Sequence, residues 1–158
     1  MMRLAFLLSF GLAACAPVQA PAVSPQADVQ MLALLFDDAR SIEAQIAGDF
    51  ACVSLRQGAG DLDPPQAVID DLAKRWKVPV VAGSRCSVTG GGDTVAAPGV
   101  SGTGKWLRIA KFECRDSNHC TADVSYYVAN LGAGGRRLAI ERTSRGWRLT
   151  PSGVVWIS

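Results

Sequence analysis

Thr121-Ala122-Asp123-Val124-Ser125-Tyr126-Tyr127-Val128-Ala129 is the stretch that decides the fold. Ala122, Val124, Tyr126 and Val128 alternate with Asp123, Ser125, Tyr127 and Ala129. A period of two sends one set to an apolar face and the other to a mixed one, which is a half-buried strand. Working outward, KWLRIAKFEC (105–114), GGRRLAIERT (134–143), GWRLT (146–150) and VVWIS (154–158) read as further strands. Thr143-Ser144-Arg145-Gly146 makes a tight hairpin between two of them. From Lys105 onward the chain is expected to form a β-meander.

Upstream the period changes. Leu32, Leu35, Ala39, Ile42 and Ile46 recur at steps of three and four, an amphipathic helix with one buried stripe, widened by Met31, Leu34 and Phe36. Ser24-Pro25 offers an opening for it and Gly48 a close. DFACVSL (49–55) reads as a short strand ended by the turn-rich RQGAGD. Asp63-Pro64-Pro65-Gln66 reads as a helix start with Asp63 as cap, followed by about three turns that bury Val68, Ile69, Leu72 and Trp76. Val78 to Val88 reads as a broken strand, and 89–104 as a glycine-rich loop with little to bury. Helices first and strands afterwards predict an α+β domain, with both helices packed on one face of a mainly antiparallel sheet.

The first residues, MMRLAFLLSFGLAAC, carry Arg3, an apolar run from Leu4 to Leu12 and two small residues before Cys15. That layout predicts a secretory signal over 1–14. Leu12-Ala13-Ala14-Cys15 resembles the lipobox of bacterial lipoproteins. The resemblance implies a lipid on Cys15 and, with Ala16 next, an outer-membrane anchor facing the periplasm. The alternative is a secreted or periplasmic soluble protein cut after Val18-Gln19-Ala20. Residues 15–27, with three prolines and no charge, read as a tether, leaving 28–158 as one domain.

Four further cysteines, Cys52, Cys86, Cys114 and Cys120, would lie in an oxidising compartment, so two disulfides are expected. Of the three pairings, Cys114 with Cys120 and Cys52 with Cys86 is favoured, because Cys114 and Cys120 flank a short polar loop between two strands. Zinc is the rival reading, but no C-x-x-C spacing is present.

Net charge is +2 but unevenly spread, with nine acids against two bases from Asp28 to Asp71 and thirteen bases against five acids from Lys74 onward. Either the two halves neutralise each other across their contact, or a basic sheet face meets an anionic partner such as lipid headgroups, lipopolysaccharide or a cell-wall polymer. Arg136, Arg137, Arg142, Arg145 and Arg148 are the candidate contacts.

Catalytic motifs do not assemble. Gly99 to Lys105, GVSGTGK, has the spacing of a phosphate-binding loop, yet Trp106 stands where a hydroxyl is needed and a strand follows where a helix should. Asp116, Ser117 and His119 lie within one hairpin loop, too short to give nucleophile and base their separate directions. Asp61-Leu62-Asp63 and Gly91-Gly92-Asp93 lack the repeated acids of a calcium loop. Trp106, Trp147 and Trp156 with Tyr126 and Tyr127 read as core before they read as a platform for sugars or lipids. No cofactor, metal, nucleotide or nucleic acid is expected.

CVSL, the Pro-opened helix, SRC, YYVANLGAGGRR, RGWRL and the final WIS together resemble an uncharacterised family of small exported bacterial proteins. The resemblance covers most of 28–158, rests on core and turn residues, and implies no catalytic group. Its glycines in GAGG suit a bulge or tight bend. The expected function is therefore a non-enzymatic binding or structural domain of the envelope. The alternatives are a hydrolase of envelope polymers whose catalytic residues are unidentified, or a small-ligand carrier.

Overall fold

The computed structural model describes residues 28–42, 44, 48–91, 94–129, 132–153 and 156–157. Its elements in chain order are α1 (Val29–Ser41), β1 (Phe50–Gln57), β2 (Gly60–Leu62), α2 (Gln66–Trp76), β3 (Val80–Ala82), β4 (Ser87–Thr89), β5 (Thr94–Ala96), β6 (Gly104–Cys114), β7 (His119–Tyr127), β8 (Ala133–Thr143), β9 (Gly146–Pro151) and β10 (Trp156–Ile157). A short 3-10 turn, Gly83–Arg85, links β3 to β4. This is the expected α+β architecture.

The large sheet runs β10-β8-β7-β6-β1-β2, with β9 continuing the line beside β8 and β3 lying beside β1. β6, β7, β8 and β9 form the expected meander, and the two-residue turn Ser144-Arg145 joins β8 to β9. β1 pairs in parallel with β6, Phe50 opposite Gly104, and in parallel with β3. A strand far upstream thus sits inside the sheet rather than at its margin.

The alternation of β7 is realised: Ala122, Val124, Tyr126 and Val128 are buried, while Asp123, Ser125 and Tyr127 are half-buried. Against that inner face, α1 lays Met31, Leu32, Leu35, Phe36 and Ala39, and α2 lays Val68, Ile69, Leu72 and Trp76. Leu35, Phe36, Leu72, Leu107 and Leu138 are fully buried there and form the packed core between helices and sheet.

A second, smaller cluster on the opposite face joins Phe50, Cys52, Val81, Val95, Ala97 and Trp106. The β4–β5 hairpin forms its lid, pinned to β1 by the disulfide Cys52–Cys86. The glycine-rich stretch therefore does bury something. Val95 is 1 % exposed, as deeply placed as Ile140 of the main core.

Both helices begin differently from their sequence signals. α1 starts at Val29, with the Asp28 carboxylate accepting from Gln30 N at 3.0 Å, and it ends at Ser41 because Ile42 turns extended. Ser24, Pro25 and Ile46 lie outside the described residues. α2 is not capped by Asp63; Pro65 occupies the cap position without a side-chain bond, and Asp63 instead accepts from the amide and hydroxyl of Ser84. Asp63 thereby ties the loop before α2 to the 3-10 turn.

Candidate functional site

One face of the sheet carries the helices. Among the described residues the other is covered by the β4–β5 hairpin and, over Ser54, by the Gly83–Arg85 turn, and the alternation of each strand determines what it shows. On β1 the outward residues are Phe50, Cys52, Ser54 and Arg56, because Ala51, Val53 and Leu55 point into the helix-side core. Register then carries this set across the sheet. Arg56 stands opposite Asp61 and Ala110, Ala110 opposite Asp123, and Asp123 opposite Arg137. The neighbouring row reads Ser54, Arg108, Ser125, Gly135 and Trp156.

In these rows each aspartate holds two cations. Asp61 lies 3.5 Å from Arg56 Nε and 3.3 Å from Arg108 Nε. Asp123 accepts from Arg137 Nε at 2.6 Å and Nη2 at 3.1 Å, with Lys111 Nζ at 3.2 Å. Four cations on two carboxylates leave this patch positive. The Arg137 fork, with Lys111 beside it, holds the Asp123 carboxyl below its ordinary value. A bulge between Ala110 and Glu113, with Lys111 at φ 47°, swings the lysine into reach.

Arg108 lies over the Trp106 ring, 4.3 Å from its centroid, and the Trp106 Nε1 donates to the buried Ser54 hydroxyl at 3.0 Å. The contacts of Asp61 are ion pairs without hydrogen-bond geometry, so Asp61 Oδ1 and Arg108 Nε are buried and lack hydrogen-bond partners among the described residues.

The five arginines singled out in the sequence do not come together. Arg136 points to the helix side and forks onto Asp38 of α1, Nε at 2.8 Å and Nη2 at 2.5 Å. It welds the acidic half of the chain to the basic half and leaves the anionic-contact set. Arg137 lies on the uncovered face, as above. Arg148 pairs with Glu141, and Arg142 stacks on Trp147, 5.5 Å from the ring. Arg145 is exposed at the β8–β9 turn, with no ion pair among the described residues. Arg56, Arg108 and Lys111 were missed, although Leu107 and Ile109 pointing inward already imply that Arg108 points outward.

All four domain cysteines are spent in two disulfides, Cys52–Cys86 and Cys114–Cys120, the favoured pairing, which removes the zinc alternative. Cys15 lies outside the described residues. The phosphate-loop spacing is accounted for by packing: β6 begins at Gly104, where a Cβ would come within 2.5 Å of the Phe50 ring, and Lys105 is buried. In the 115–118 loop Asp116 accepts from Asn118 N at 2.8 Å and from His119 Nδ1 at 2.9 Å, which lowers its pKa to about 2. Ser117 takes no part in that contact. Asp70 and Asp71 face different partners, Gln66 and Arg75. The aromatic residues divide between faces, Tyr126 and Trp147 helix-side, Trp106, Tyr127 and Trp156 on the other.

Comparison with known proteins finds no matching family model, no similar curated protein and no similar solved structure. Two disulfides in one domain fit an oxidising, extracytoplasmic setting. Among the described residues no helix is long and apolar enough to cross a membrane.

Proposed function

We propose that this chain is a lipid-anchored protein of the bacterial envelope, tethered through Cys15, whose domain is a non-enzymatic module binding an anionic envelope component on the uncovered sheet face. One observation carries the reading: two aspartates, Asp61 and Asp123, each shared by two cations on a face that the helices do not cover. A carboxylate shared in this way fixes the cations in place while leaving positive charge for a partner. Paired surface charges alone contribute little stability, so the arrangement suits recognition better than folding.

The anchor is tested by the mass of the mature N-terminus and by Cys15→Ala, which should move the protein from the membrane to the soluble fraction. The surface is tested with the full chain against lipopolysaccharide, peptidoglycan fragments and phosphatidylglycerol vesicles. At least one should be retained at low salt and released at high salt, and the pair Lys111→Ala with Arg137→Ala should weaken that retention. Retention of none, or retention indifferent to salt, would overturn the reading.

A further inference from the structure

We propose that the indole of Trp156 is a sugar-stacking platform, so that the anionic component met by this face is a carbohydrate polymer rather than a lipid surface. The inference rests on the reading of the uncovered face as the contact surface and names its ligand class. Trp156 belongs to neither core cluster and is 50 % exposed. Its ring lies down on the sheet because β8 carries glycine beneath it: a Cβ on Gly135 would come within 2.8 Å of Trp156 Nε1. The strand thus gives up a side chain, at a cost in β-propensity, to seat an aromatic ring that water still reaches.

What lies beside the ring matches a glycan. Along the row from Trp156 the surface drops to Gly135 and Ser125 and rises again at Arg108. Strands about 4.8 Å apart put β10 and β6 about 14 Å from each other, the span of a short oligosaccharide lying across them. A pyranose offers a face of C–H groups to an indole and hydroxyls to its sides. Ser125, Asp123 and the planar guanidinium groups of Arg108 and Arg137 supply the polar contacts for hydroxyls and for a carboxylate or phosphate on the sugar. A bilayer would ask for several apolar side chains side by side, whereas among the described residues the row that starts at Trp156 continues with Gly135, Ser125 and Arg108.

The full chain is titrated with three probes: alginate oligosaccharides, which join sugar rings to carboxylates; dextran oligosaccharides of equal length, which are neutral; and inorganic polyphosphate, which has charge without sugar. Indole fluorescence and calorimetry are the readouts. Alginate should bind tighter than either of the others. Trp156→Ala should weaken alginate roughly tenfold and leave polyphosphate unchanged, while Trp156→Phe keeps most of the affinity. An unaltered alginate affinity in Trp156→Ala, or polyphosphate bound as tightly as alginate, overturns the sugar platform while the charged face survives. If none of the three probes binds, the platform falls together with the reading beneath it.

Discussion

Lys105 has its ammonium inside the protein, 4 % exposed, donating to the carbonyls of Arg40 at 3.1 Å and Ile42 at 3.0 Å and lying 4.8 Å from the Tyr126 ring centroid. Those carbonyls are the open end of α1, where a cation is favourable to the helix dipole and answers groups that the helix cannot. The lysine that completes a phosphate-loop spacing in the sequence is thus a helix cap delivered from the start of strand β6. Lys105→Met should lower stability by about 2–3 kcal/mol in urea titration, the cost of leaving buried acceptors without a donor. A loss below about 0.5 kcal/mol would show that the carbonyls are satisfied by other means. Its neighbour is constrained by contact rather than charge. Gly104→Ala would press a methyl to 2.5 Å from the Phe50 ring and should cost about 1–3 kcal/mol.

At the scale of elements, the β4–β5 hairpin depends on the long-range disulfide more than the meander does on the short one. Cys52–Cys86 spans 34 residues and Cys114–Cys120 spans 6. Loop entropy makes the first contribute roughly 4 kcal/mol and the second roughly 2.4. Replacing Cys52 and Cys86 together by Ala should therefore lower the urea midpoint more than replacing Cys114 and Cys120, and amides of 87–96 should gain the fastest hydrogen exchange. The reverse order would mean that Val95 and Ala97 hold the hairpin by packing alone.

How far elements were legible follows from what is local. Two-residue alternation in β7 and the Ser144-Arg145 turn are written in neighbouring residues. So is the buried stripe of α1. The parallel meeting of β1 with β6 joins Phe50 to Gly104 and leaves no local mark, and the burial of Val95 depends on a Trp and a Cys brought from other strands. The cap expected at Asp63 failed for the same reason, since a distant Ser84 competes for that carboxylate. The candidate face was half legible: Arg137 was read, whereas Arg108 and Lys111 needed the register and the bulge to show which way they turn.

For the molecule as a whole, ion pairs set the response to acid. Asp123, held low by Arg137 and Lys111, Glu141, held low by Arg148, and Asp116, at about 2, all have folded values below their ordinary ones. A depressed carboxyl contributes stability that is present above its unfolded value and is lost as pH falls through the folded one. Urea midpoints should hold steady above the ordinary carboxyl range, from 3.8 to 4.5, and decline from there toward about 2. Asp123→Asn should flatten part of that decline; an unchanged profile would mean that the Arg137 fork does not couple to folding.

The place of β1 also bears on how the chain can be built. β2 covers the end of one flank through a local hairpin, but β3 and β6 come later in the chain, so the flank that β6 takes stays open as the chain emerges N-terminus first. No sheet can close around it until residue 110 has followed. Folding should be slow for a chain of this length, and until β6 arrives the open edge of β1 is where a second copy could pair.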